Sequence, residues 1–104
     1  MAVTFTTHLG LKLAAALDRS EPLVGLLQRV RESQARLEAL SRLMPPALRA
    51  GIRSGPLDEE AWQLLVDNAA VAAKLRQLLP ALEAELRANG WTKPPIRIKV
   101  LPRI

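Results

Sequence analysis

Two adjacent prolines, Pro45-Pro46, close a run in which Leu23, Val30, Leu37 and Met44 recur at seven-residue steps. Leu26, Leu27 and Leu40 stand beside them. Apolar side chains at that spacing line one side of a helix. The pattern predicts an amphipathic helix of about five to six turns. Ser20-Glu21-Pro22 marks its start. Ser20 offers a capping oxygen, and Pro22 falls in the first turn, where a missing N–H has no intrahelical partner to lose. The proline pair marks its end, because the residue before a proline is pushed out of the helical region. The opposite face carries Arg29, Arg31, Glu32, Arg36, Glu38 and Arg42. A helix with one apolar stripe needs a second apolar surface against it, and the rest of the chain must supply it.

Residues 46–51 read as a connector or one short turn. Ile52 to Pro56 makes a poor strand, usable as a short edge strand. Leu57 to Glu60 is polar and turn-like. Ala61-Trp-Gln-Leu-Leu-Val66 is a strand candidate bounded by Asp67-Asn68. A competing reading runs one helix from Asp58 to Leu79, since three acidic residues suit a helix N-terminus. The strand is preferred, because Asp67-Asn68 resembles a fresh cap that a continuous helix would not need. From Asn68, Val71, Leu75, Leu78, Leu79, Leu82 and Leu86 form a second helical stripe. Pro80 inside it predicts a kink or split near Leu79. Asn89-Gly90 stops that helix. Ile96-Arg-Ile-Lys-Val100 then alternates with period two, which predicts Ile96, Ile98 and Val100 facing inward and Arg97 and Lys99 outward. The predicted fold is α+β: a three-stranded sheet covered on one face by a long N-terminal helix and a second, Pro-split helix.

A chain of 104 residues fits one domain, expected over residues 21–104. Residues 1–20 are expected to be a loosely attached extension. In it Leu9, Leu13 and Leu17 share a helical face, and LGLKLAAAL resembles a short signal core without a basic segment before it or a cleavage site after it. A cytoplasmic location is the expectation. With no cysteine, disulfides and thiolate metal sites are excluded. His8 is the one histidine and has no carboxylate near it in sequence, so no metal site is expected there. No apolar run approaches the roughly 18 residues of a membrane span. The acidic run Asp58-Glu59-Glu60 reads as a solvated turn, because acid–base or metal work needs convergent partners. No glycine-rich phosphate loop is present. No enzyme activity, cofactor or small-molecule substrate is expected.

The net charge of +5 favours anionic partners. Lys93, Arg97, Lys99 and Arg103 give residues 91–104 four positive charges and no negative one. Such a stripe suits a phosphate backbone. It also suits a charged edge strand that resists sheet-to-sheet aggregation. Lys74 and Arg76, near the start of the second helix, either extend the patch or stay solvated. Trp91 either stacks on an unpaired base or packs over a helix end. Trp62 reads as core or sheet surface. On the first helix Arg29 and Arg36 alternate with Glu32 and Glu38, which fits a solvated face or a partner-binding one.

Over residues 23–101 the chain resembles the DciA family, bacterial proteins that act on the replicative helicase. The resemblance lies in the order and spacing of Leu43-Met-Pro-Pro-Ala-Leu48, Asn68-Ala-Ala-Val-Ala-Ala-Lys-Leu-Arg76, Pro80-Ala-Leu-Glu-Ala-Glu-Leu86 and Ile96-Arg-Ile-Lys-Val100. It implies a KH-like fold, binding to the replicative DNA helicase, and affinity for single- or double-stranded DNA in replication initiation. Two departures stand out. Val71 occupies a place where the family usually has an aromatic, which bears on partner contact there. Many members continue into a flexible basic tail, whose functions are expected to be missing here. Gly51 and Gly55 are separated by Ile-Arg-Ser, which does not match the GxxG clamp of RNA-binding KH domains. The resulting expectation is a non-enzymatic adaptor for helicase and DNA. An RNA-binding or ribosome-associated module and a plain protein-interaction module are the alternatives.

Overall fold

The computed structural model describes residues 21–102. The extension expected over residues 1–20, the Ser20 cap and Arg103 lie outside them. The described chain runs α1 (Glu21–Leu40), a 3-10 turn (Ser41–Leu43), the short helix α2 (Pro46–Arg49), β1 (Ile52–Leu57), β2 (Trp62–Val66), α3 (Ala69–Ala88) and β3 (Ile96–Val100). This is an α+β fold with one three-stranded sheet in the order β1-β2-β3 and helices packed on it.

Local chemistry sets the boundaries. α1 ends at Leu40 and a 3-10 turn follows it; Met44 then turns extended ahead of Pro45, with φ −113 and ψ 128, and the helical region cannot continue. Asp58 settles the choice between strand and helix over 58–66. Its Oδ1 accepts from the N–H of Glu60 at 2.8 Å and of Ala61 at 2.9 Å, so the acidic run is a tight turn joining β1 to β2. Asn68 caps α3 by accepting from the Val71 N–H at 2.9 Å. Asn89 and Gly90, the latter at φ 91, end it.

β1 and β2 pair antiparallel with Ile52 opposite Val66, and the register shifts between Ser54 and Leu57. β3 lies parallel to β2, so α3 is the crossover that carries the chain back across the sheet. Trp62, Leu64 and Val66 alternate inward from β2 and are fully buried. Above them pack Leu37, Leu40 and Met44 from the first helical region and Ala72, Leu75, Leu82 and Leu86 from α3. Each buried Leu contributes about 1.5–3 kcal/mol.

Three expectations need correcting. α3 is continuous through Pro80, with no split. Pro80 and Arg76 are both exposed. The carbonyl freed by the missing N–H can bond water, while the burial of Leu75 and Leu82 holds the turns on either side. Second, the stripe of α1 is buried only over its C-terminal half. Leu23, Leu26 and Val30 remain 42%, 52% and 44% exposed. A 20-residue helix is about 30 Å long, whereas strands of five or six residues span about 17–20 Å, so α1 outruns the sheet. Third, Val100 is exposed, because β3 is the outer strand and gains cover from one side only.

Candidate nucleic-acid interface

Residues paired across strands share a face of the sheet. Trp62 beside Ile96, Leu64 beside Ile98 and Val66 beside Val100 make the helix-covered face. The intervening positions therefore make the other face. There Gln63 lies beside Arg97, and Leu65 lies between Lys99 of β3 and Arg53 of β1. Arg53, Arg97 and Lys99 are all exposed. None of them forms an ion pair among the described residues. Strand geometry places Arg97 and Lys99 about 6.7 Å apart along β3, and Arg53 about 10 Å from Lys99 across the sheet.

Glycine shapes this face at one point. A Cβ at Gly55 would stand 2.9 Å from the Gln63 carbonyl oxygen and 2.9 Å from Leu65 Cγ. Its absence lets Leu65 lie flat over β1 at the bulge. No aromatic ring belongs to the face among the described residues, since Trp62 points under the helices. Contact here is therefore ionic, without a stacking platform. One carboxylate lies within reach. Asp58 is held below its usual pKa, first by the Ala61 and Glu60 N–H groups and further by the charges of Arg97 and Arg29. Arg97 thus has its field partly offset, although no ion pair closes.

Arg53 was not among the sequence candidates. The signal was present in Ile52-Arg53, where a buried residue is followed by an exposed one, but Gly55 and Pro56 obscured β1 as a strand. Lys93 is exposed on the loop before β3. Lys74 and Arg76 are exposed on α3, which covers the opposite face, so they do not join the cations of the sheet.

Arg36 is not on a partner surface. It is 3% exposed, because Ser33, Arg36, Leu37 and Leu40 share the inward side of α1. Its guanidinium lies 5.9 Å from the Trp62 ring centroid and 5.6 Å from that of Trp91. Its Nη2 donates to Glu32 Oε2 at 2.9 Å and to the Lys93 carbonyl at 2.8 Å, and its Nε donates to the same Glu32 oxygen at 3.2 Å. Beside it the Trp62 Nε1–H donates to Ser33 Oγ at 2.9 Å, and Ser33 donates to the Gly55 carbonyl at 2.7 Å. Trp91 is half-buried against the core and engaged by Arg36. It packs over the end of α3 against the core, with Arg36 above its ring.

Two further surfaces include candidates. Val71 packs against the core and, with Pro45, Leu48, Lys74 and Leu78, lines an apolar groove of about 500 Å³. Arg29 is exposed over a cleft of about 610 Å³ that also meets Glu32, Asp58, Glu59 and Lys93, so its charges are mixed. Among the described residues no three His, Cys, Asp or Glu side chains gather as a metal site, and no helix is long and apolar enough to cross a membrane.

No protein-family model matches the chain, and no curated protein matches it either. The likeness to the DciA family rests on the motifs in the sequence.

Proposed function

We propose that this protein is a KH-like, non-enzymatic adaptor that holds DNA on the open face of its sheet and docks on the replicative helicase. The observation that carries the DNA reading is the set Arg53, Arg97 and Lys99 on the face no helix covers. Each cation that meets a phosphate releases a condensed counterion, which drives binding independently of sequence. Without an aromatic ring among the described residues of this face, the contact rests on charge and not on base stacking. With the one-turn helix α2 set aside, the element order α-β-β-α-β and the parallel β2–β3 pair support the KH likeness. α3 is one continuous helix, so the helix–GxxG–helix grip of RNA-binding KH domains has no counterpart, and the nucleic acid goes to the sheet instead. The helicase reading is supported by the DciA resemblance alone. Its docking surface is the groove at Val71, with Arg29 on a separate surface. The location is the bacterial cytoplasm.

The test is fluorescence anisotropy with labelled DNA over a range of salt concentrations. Replacing Arg53, Arg97 and Lys99 together by Ala is expected to flatten the slope of log affinity against log salt by about two to three units, at about 0.7–0.9 per lost phosphate contact. An unchanged slope removes this face from the interface. Tighter binding to RNA of equal length replaces the DNA reading with an RNA one. Pull-down of the purified helicase by the parent chain but not by a Val71→Asp variant supports the docking surface, and failure of the parent chain to bind removes the helicase from the proposal.

A further inference from the structure

We propose that the outer edge of β3 is a docking site for an extended segment of another protein, one whose acidic and apolar residues alternate, which joins the sheet as a fourth strand. This inference stands whether or not the open face holds DNA. The main chain of β3 shows which groups are available. The Trp62 N–H donates to the Pro95 carbonyl at 2.9 Å, and the Leu101 N–H donates to the Val66 carbonyl at 2.8 Å. Along a parallel strand both polar groups of a residue point to one side, and those of the next residue point to the other. Arg97 and Lys99 therefore bond to β2, and the N–H and C=O groups of Ile96, Ile98 and Val100 point away from it. Among the described residues no strand pairs with that outer side. The opposite edge of the sheet is different. On β1 the Ile52 carbonyl accepts from Arg49 Nη1 at 2.9 Å, and the Gly55 carbonyl accepts from Ser33 Oγ at 2.7 Å. Pro56 has no N–H, and the register shifts between Ser54 and Leu57. Such features blunt an edge strand. β3 contains no proline and keeps an unbroken register on β2.

Charge selects the occupant. β3 carries Arg97 and Lys99 and no acidic residue, and neither cation forms an ion pair among the described residues. Side chains directly opposite each other on antiparallel strands stand about 4.5–5.5 Å apart, so like charges there destabilise the pairing and opposite charges stabilise it. A second copy of β3 laid antiparallel about Ile98 would set Arg97 against Lys99 twice. A shift either way would set one of these cations against its own counterpart. The edge therefore repels a second copy. In an acidic partner, the residues opposite Arg97 and Lys99 are carboxylates. Those opposite Ile96, Ile98 and Val100 lie on the helix side of the sheet, where Ile96 and Ile98 are half-buried and Val100 is 42% exposed, so they are apolar. The fitting segment reads Val-Glu-Val-Glu-Val or an equivalent alternation.

The probe is a labelled peptide with the core Val-Glu-Val-Glu-Val, added to the full chain without nucleic acid and followed by fluorescence anisotropy. Binding is expected, with amide hydrogen exchange slowed at Ile98 and Val100 and unchanged at Arg97 and Lys99. N-methylation of the central Val removes the N–H that faces Ile98 and should weaken binding about three- to tenfold, whereas N-methylation of a Glu, whose N–H faces away, should not. In the protein, Val100→Pro removes an edge donor and leaves the bonds of Lys99 and Leu101 to β2 in place. It should bind the peptide about three- to tenfold more weakly than Val100→Ala, which keeps the donor. The N-methylated peptides give the same reading if Val100→Pro folds poorly. Arg97→Glu with Lys99→Glu should transfer the preference to the peptide Val-Lys-Val-Lys-Val. Equal affinity for the two N-methylated peptides overturns strand addition and leaves attraction between charges alone. Failure of the parent chain to bind the peptide overturns the proposal. Slowed exchange at Ile98 that grows with protein concentration in the absence of peptide also overturns it and assigns the edge to a second copy.

Discussion

Replacing Arg36 by Ala should be the most damaging single change to a charged residue in this domain. The guanidinium fills the space between two indole rings and ties α1 to the loop before β3 through the Lys93 carbonyl. Loss of that charge-assisted hydrogen bond costs about 1.5–3 kcal/mol. Each ring contact adds about 0.5–2 kcal/mol. These terms overlap, so the expected net loss is about 3–4 kcal/mol, against a total stability of about 5–15 kcal/mol for a domain of this size. At roughly 4–8 °C per kcal/mol, the midpoint should fall by about 12–32 °C. Arg36→Met separates packing from charge. It keeps an apolar stem between the rings and removes Nη1, a buried nitrogen that has no partner among the described residues. Its loss should be about 1–2 kcal/mol smaller than that of Ala, since a buried charge carries its own desolvation cost. The assay is urea unfolding followed by tryptophan emission, and Trp62 and Trp91 are the only two tryptophans. A loss below about 1 kcal/mol for Arg36→Ala would refute the clamp.

Gly55→Ala should destabilise by about 1–3 kcal/mol, because the new methyl meets a backbone oxygen at 2.9 Å and the bulge must shift; the same urea titration reads it. Asn68→Ala removes the α3 cap and should cost about 1 kcal/mol by thermal unfolding. Asp58 has its folded pKa depressed, so its contribution to stability is present above the ordinary carboxylate value and is lost as pH falls through the folded one. Asp58→Asn should therefore lower the midpoint at neutral pH and narrow its gap to the parent as the pH is taken below about 4.

The parts of the fold legible in the sequence were those with short-range signals. The Asn68 cap and Asn89-Gly90 act within a few residues and lie where the pattern put them, the helical region stops ahead of the proline pair, and Ile96 to Val100 forms the strand its alternation predicts, although Val100 stays exposed. What was not legible depends on tertiary contacts. Pro80 reads as a breaker, yet leucines buried on both sides keep its helix whole. Arg36 reads as one charge among many on a solvated face. Only the meeting of α1 with Trp62 and Trp91 shows that it is buried. On the candidate interface, the outward direction of Arg97 and Lys99 was readable from period two. Arg53 was not, because its membership depends on which residue of β2 lies opposite.

The parallel union of β2 and β3 also sets an order of events during synthesis. A hairpin can form as soon as β2 has left the ribosome, but β3 cannot join until the whole crossover helix has been made. Until then β2 presents a bare edge to the cell, and of the three sheet cations only Arg53 has been translated. A nascent chain, or one cut within α3, therefore lacks two of the three exposed sheet cations, Arg97 and Lys99, which arrive together when the last strand closes the sheet.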